Sequence, residues 1–523
     1  MRTERTWALA GGLLLLLCLL PFAGSGVINN DELTYLSHAQ RMVAGELPYR
    51  DFFEFLPPVT LWLLAGAFAL GGVHLVLAHA LAAAAVGVVG VQLYRVGRQL
   101  ELGPLVAWLP AYALVFCLFA SWPVWSHHWL VVPFDVGAVA FAMRGLAGPG
   151  YWPWLAAGAC VGLAGFTVQT DGAAVGLVLA TTLLLDGWQR RAPWAETLRR
   201  LGWLAAGVAA VAGGVAGALA ATGSLGAAFE QVVKWPMTRY RQPGGINDFA
   251  FGTDLPAALS PMTALPGWYV RAYLVIGSFA ILPTAALGAL AWLAGWMWAP
   301  RRPWDVAAAH FALVSLWCLA ALWLGTHAGR SDLVHVAQYA LPGVLWGTVA
   351  AMRIARQPLG APAWLPLAAI VAFVAAGALG QAKAMSKDPD RWMHPGRVER
   401  QVLESPAIAY LHTHARPGDQ LAAMPYGGFF YVFGLPPATR YTLMLPPSMG
   451  YGAPGEFAAY FDELARRRPR FVVIAPWAWK AFELAVDDYA THLPPGYRRV
   501  GEFGSPQYNY LFPAVIYERV TPP

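Results

Sequence analysis

Apolar runs long enough to cross a bilayer recur from the start of the chain to residue 381, and they leave little room for a soluble architecture. A helix needs about 20 mostly apolar residues to span hydrocarbon. Spans are expected near residues 7–25, 74–95, 103–120, 128–145, 153–169, 172–187, 201–222, 268–298, 305–325, 335–353 and 363–381, about eleven in all. Composition supports this reading, because 58% hydrophobic residues against 12% charged ones is far from the balance of a soluble enzyme. The four cysteines, Cys18, Cys117, Cys160 and Cys318, all lie inside these runs, which predicts buried thiols rather than a disulfide framework. The first run could end as a cleaved leader near Ala23-Gly-Ser-Gly. In a chain of repeated spans it serves equally as an anchor.

Arginine assigns the sides. With the N-terminus cytoplasmic, Arg95 and Arg98, then Arg144, then Arg190, Arg191, Arg199 and Arg200, then Arg301 and Arg302, then Arg353 and Arg356 all fall on one face. The net charge of +6 is read as this bias. The basic residues form no continuous stripe, so no nucleic-acid partner is expected. The opposite face collects the acids, histidines and amides: an external loop over 26–73, residues 122–128, Gln169-Thr-Asp171, a long external loop over 223–267, and residues 326–335. An odd number of spans also places the C-terminal region there.

After Lys383 the hydropathy becomes that of an ordinary globular domain. A helix over 405–415, a turn at Pro417-Gly-Asp, a strand over 420–424, a helix over 456–467, a strand over 471–474 and a closing strand pair within 497–519 predict a small α/β unit. The expected fold is therefore mainly α: a polytopic membrane module over 1–385, followed by an extracytoplasmic, periplasmic α/β domain over 390–523.

The external loop stands out because Asp31, Glu32, Arg41, Glu46, Arg50, Asp51 and Glu54 crowd into one short interval of a charge-poor chain. Asn30 or Asp31 can cap a helix there. Leu33, Leu36, Met42 and Val43 fall near helical spacing, which predicts a short amphipathic helix lying on the membrane surface. Gly45 should end it. Pro48, Pro57 and Pro58 follow, and 60–70 is a second apolar segment too short to span comfortably.

The pattern Asp31-Glu32-x-x-Tyr35-x-x-x-Ala39-x-x-Met42-x-x-Gly45-x-x-Pro48-Tyr49-x-Asp51, with Pro57-Pro58 before a short apolar helix, resembles the first external loop of the GT-C fold glycosyltransferases. It is most like that of the bacterial relatives of protein O-mannosyltransferases and of the lipid A aminoarabinose transferases. The resemblance implies a multi-pass protein of the bacterial inner membrane, a polyprenyl-phosphate sugar as donor and a catalytic acid in this loop, which falls on Asp31 with Glu32 beside it. Several of the aminoarabinose transferases carry Lys directly before the Pro-Pro pair. Leu56 stands there in this chain, so lipid A does not follow as acceptor.

Transfer from a lipid phosphate to an acceptor hydroxyl or amine needs a carboxylate to take the acceptor proton, and cations or a divalent metal ion to meet the departing phosphate. Asp31 is the candidate base, with helix capping as its structural alternative. Asp51 is a second acid for orientation or metal binding, or a partner of Arg50 or Arg41. For phosphate the candidates are Lys234, Arg239 and Arg241 of the long loop and Arg330, which sits with Asp332 and His335 at a span entrance. Gln169 and Asp171 are candidates for sugar hydroxyls. His128 is a cavity candidate, and Tyr35, Tyr49 and Arg50 complete the substrate set. The activity expected is glycosyl transfer to a glycan, lipid or protein outside the cytoplasm. The alternatives are a transporter or flippase of a lipid-linked precursor, or a non-catalytic relative that binds through its outer domain.

Overall fold

The computed structural model describes residues 2–24, 30–240, 268–298, 304–327, 333–357, 364–389, 392, 394, 396–424, 427–442, 454–475, 490–504 and 513–520. The chain forms two compact units. One comprises Met1–Ser25, His79–Ala216 and Phe249–Met393; the other comprises Gly26–Ala78, Gly217–Asp248 and His394–Pro523.

Every expected span falls on helical chain. Among the described residues eight helices are long and apolar enough, by length and composition, to cross a membrane, which makes this a multi-pass membrane protein. Of the three other expected spans, Val106–Ser121 and Trp152–Gly165 are shorter apolar helices, and Leu333–Ala355 is a helix of 23 residues. The first of these is irregular, passing through a π-helical stretch at Leu114–Leu118.

In the first unit Val306–His327 packs against Gln169–Gln189, Trp268–Met297 and Leu333–Ala355, and His127–Ala147 against Trp152–Gly165. Glycine sets one close crossing. A Cβ on Gly158 would lie 2.8 Å from the Leu204 carbonyl carbon and one on Gly207 2.6 Å from Ala159 N, so only glycine allows these backbones to touch. Arginines at the span ends find partners. Asp186 Oδ1 accepts from Arg190 Nε at 2.7 Å and from Trp304 Nε1 at 2.8 Å, and Arg98 Nη2 donates to Glu4 Oε1 at 2.6 Å. Cys117 and Cys318 are buried, whereas Cys18 and Cys160 are only half-buried.

The second unit is built on a four-stranded sheet of β1 (Leu421–Met424), β2 (Phe471–Ile474), β3 (Tyr497–Phe503) and β4 (Ala514–Arg519) in the order β1-β2-β4-β3. β1 and β2 run parallel, and the other pairs are antiparallel. Continuous apolar sequence in β1 and β2 predicts burial on both faces, and both strands are buried throughout. One face packs Leu421, Ala423, Phe471, Val473 and Ile516 under helices Pro406–His414 and Gly428–Phe433. The other packs Met424, Val472, Ile474 and Val515 against Tyr460 and Leu464 of helix Pro454–Arg467.

The external loop belongs to this same unit. Helix Asn30–Val43 ends where expected, with Gly45 at φ +96° and Glu46 N bonded to Arg41 O. The first half of its apolar face, expected to lie on lipid, is covered by protein, whereas Val43 at its end is exposed: Leu33 joins the core beneath Gly428–Phe433, Leu36 is buried, and a Cβ on Gly428 would lie 2.7 Å from the Leu33 carbonyl carbon. Phe53 packs against the core on the sheet's other face. Leu33 is fully buried, so Leu33→Ala should destabilise this unit by about 2–5 kcal/mol, read as a lower melting temperature of the purified protein.

Candidate active site

The loop is held by buried polar contacts that reach across the second unit. His38 Nδ1 lies 2.8 Å from Glu54 Oε2, and His38 Nε2 lies 2.9 Å from Thr442 Oγ1. Glu54 Oε1 accepts from Leu56 N at 2.8 Å, which closes the turn before Pro57-Pro58. Gln231, from the helical segment after the span Trp194–Ala221, clasps the loop twice. Its Oε1 accepts from Glu54 N at 2.9 Å and its Nε2 donates to Tyr49 O at 2.8 Å. Arg41 donates to Glu46 Oε2 at 2.6 Å and to Thr439 O at 3.0 Å, with its guanidinium 4.8 Å from the centre of the Phe52 ring.

Tyr49 shows what this clasp withstands. It adopts φ +70°, a left-handed conformation that costs a bulky residue of order 1–3 kcal/mol. Burial, with the Glu54 carboxylate adding to it, raises the Tyr49 phenol well above its ordinary pKa. The phenol therefore stays protonated and donates to Leu56 O at 2.8 Å.

Against this frame the two adjacent acids separate. Asp31 is exposed in the first turn of its helix, where the helix dipole favours a carboxylate, whereas Glu32 is fully buried. Tyr35 is buried on the same helix. Asp51 is half-exposed and accepts from Arg50 Nε and Nη2, both at 2.9 Å, and from Leu47 N at 2.8 Å. The Arg50 hydrogen bond, opposed by partial burial and helped by the Leu47 amide, holds the Asp51 carboxyl below the usual carboxylate range. A depressed native pKa stabilises the fold above the unfolded value near pH 4, and that contribution is lost as pH falls through the native value. An acid titration of loop stability should therefore lose part of its slope below about pH 4 in Asp51→Asn. The effect at neutral pH should be small, because Arg50 is exposed.

The remaining candidates are scattered. Lys234 is exposed in the π-helical stretch Phe229–Lys234 and pairs with Glu230 at 2.5 Å. Arg239 lies in Pro236–Tyr240, with its side chain outside the described residues. Arg241, Arg330 and Asp332 lie outside the described residues, as does the side chain of His335. In the first unit, Gln169 is exposed at the start of helix Gln169–Gln189. His128 is buried against Trp122 and His127, its amide capped by Ser126 Oγ. Asp171 is 2% exposed, and its Oδ2 accepts from Tyr339 Oη at 3.2 Å and Thr170 Oγ1 at 3.3 Å. Among the described residues no group of three or more His, Cys, Asp or Glu side chains could hold a metal ion.

Sequence reasoning missed His38 and Gln231. His38 carried a signal, since it follows Asp31 by seven residues, two turns along one helix face. Gln231 carried none, because its partners are 177 and 182 residues away.

A multi-helical membrane unit, and an acid-led loop folded together with a small α/β sheet, place the architecture in the GT-C fold class. The chain is similar to the crystal structure of ArnT from Cupriavidus metallidurans bound to undecaprenyl phosphate, with TM-score 0.58 and 15% identity over 99% of this chain and 98% of that one. A partial likeness, with TM-score 0.37 and 14% identity over 48% of this chain and 39% of the other, links it to the S. cerevisiae protein O-mannosyltransferase Pmt1-Pmt2 complex bound to the sugar donor. No protein-family model matches the chain, and no curated protein matches it.

Proposed function

We propose that the protein is a glycosyltransferase of the bacterial inner membrane that moves a sugar from a polyprenyl phosphate to an extracytoplasmic acceptor. The observation that carries this reading is the contrast within the acid pair: Asp31 is open at a helix start while its neighbour Glu32 and the rest of that helix face are fixed in the core. An acid kept accessible on so firmly held a loop suits a base that must meet a bound acceptor.

In the proposed reaction the acceptor oxygen or nitrogen attacks the anomeric carbon and Asp31 takes the acceptor proton. The bond from that carbon to the phosphate oxygen breaks, and polyprenyl phosphate leaves with the electron pair. Lys234, Arg239, Arg241 and Arg330 are the cations proposed for the phosphate. Gln169 is proposed to position substrate and Asp51 to hold Arg50, while Tyr35 and Tyr49, both buried, are left to the packing of the loop. The arginine-edged face is the cytoplasmic one in this reading, which places the α/β sheet in the periplasm.

A lipid extract of a strain lacking the protein tests the donor class. A polyprenyl-phosphate-linked sugar should accumulate and fall again on complementation. An unchanged pool of lipid-linked sugars would remove the donor from the proposal.

A further inference from the structure

The span Trp194–Ala221 ends in a sharp turn. Gly223 adopts φ +70°, its N donates to Ala220 O at 3.0 Å, and Ser224 N donates to Leu219 O at 2.8 Å, the left-handed helix end that glycine favours. Helical chain resumes at once. It is α-helical over Leu225–Ala228 and π-helical over Phe229–Lys234 and Pro236–Tyr240. The expected loop over 223–267 therefore opens with a helix.

Three faces of this helix meet different surroundings. Ser224, Ala228 and Gln231 are buried and Trp235 is half-buried, its ring 5.5 Å from that of Phe53 and 5.0 Å from that of Phe55. On this face Gln231 holds the acid-bearing loop through Glu54 N and Tyr49 O. A second face carries Leu225, Phe229, Val233 and Met237, which are 42%, 52%, 38% and 83% exposed. The third carries the exposed ion pair of Glu230 with Lys234, flanked by exposed Gly226 and Thr238. A step of four residues overshoots the 3.6-residue α-turn and undershoots the wider π-turn. In a helix of both kinds each set therefore keeps to one face.

Four apolar side chains in an exposed row mark an interaction surface. This row starts four residues after a membrane span ends, protein already takes the face beside it, and the charges on the other side, Glu230 and Lys234, are joined in one pair. A helix that meets protein, water and an apolar phase on three separate faces, just where a span leaves hydrocarbon, suits the boundary between headgroups and acyl chains. We propose that residues 225–237 form an interfacial anchor, with Leu225, Phe229, Val233 and Met237 in the acyl boundary of the leaflet where Trp194–Ala221 ends. The partner is a lipid surface, met through its hydrocarbon rather than its headgroup charge. The anchor is independent of glycosyl transfer and would stand if that reading failed.

Photolabelling of the full-length protein tests it. The photoreactive residue p-benzoylphenylalanine is placed at Phe229, Val233 or Met237, and at Gly226 or Thr238 on the polar face; all five positions are exposed. Each variant is reconstituted in phosphatidylcholine vesicles with tritiated acyl chains and illuminated. Tritium should join the protein at the three apolar positions and fall to the wild-type background at the two polar ones. Adding phosphatidylglycerol should leave that pattern unchanged, because the neighbouring charges are paired. Equal label on both faces, or label that requires phosphatidylglycerol, overturns the proposal. So does capture of protein in place of lipid, whether a second copy of the chain, seen as a dimer on a denaturing gel, or residues 241–267 of the same chain, seen by peptide mapping. A probe at Leu225 replaces any apolar position at which the substitution lowers the melting temperature.

Discussion

Asp31→Asn should lower turnover by about a hundred- to ten-thousand-fold while leaving the protein inserted and folded, the range that loss of a positioned general base produces. The structural reason for expecting a clean separation is local. Asp31 is exposed, Asn is nearly isosteric, and Asn serves the start of a helix almost as well as Asp. Losing one carboxylate near the helix dipole should change stability by only about 0.3–1 kcal/mol. Thermal unfolding and turnover measured on the same preparation check both halves of the statement. Full activity in Asp31→Asn would remove this residue from the chemistry.

Glu54→Ala should behave in the opposite way and lose fold and turnover together. The substitution strands His38 Nδ1 and Leu56 N in the interior and takes away the partner of a buried histidine. A buried donor left unsatisfied costs about 1–3 kcal/mol. The loss should appear as early protease cleavage within the second unit and a lower melting temperature. Glu54→Gln, which keeps one acceptor oxygen and puts an amide donor at the other site, should recover only part of the stability. The same contacts bear on truncation. Removing residues 394–523 takes away the partners of Leu33, His38 and Arg41, so a null phenotype would not separate a binding role of the sheet from a structural one.

Much of this fold was legible because it rests on local signals. Hydropathy found the membrane helices, Gly45 ended the loop helix at a positive φ, and uninterrupted apolar stretches gave β1 and β2. Helix Gly428–Phe433 escaped because six residues hold too little periodicity to register, yet it covers the loop. The apolar face of Asn30–Val43 was legible, but its partner was not. Amphipathicity says that a face must be buried and does not say whether lipid or protein buries it. The site divides in the same way. Asp31 and Glu32 announce themselves as a charged pair after a span, but only packing turns one outward and the other in. The His38–Thr442 contact joins residues 404 apart, beyond any periodicity argument.

The central claim is that the protein breaks a sugar–phosphate bond rather than moving an intact lipid-linked sugar across the membrane. Purified protein in detergent, where no compartments exist, should be incubated with a polyprenyl phosphate carrying a radiolabelled sugar and with membranes of a strain lacking the protein as acceptor source. The account predicts one polyprenyl phosphate released for each sugar found on acceptor, and neither product with Asp31→Asn. An intact donor in detergent, combined with movement of that donor between leaflets in proteoliposomes, would contradict it.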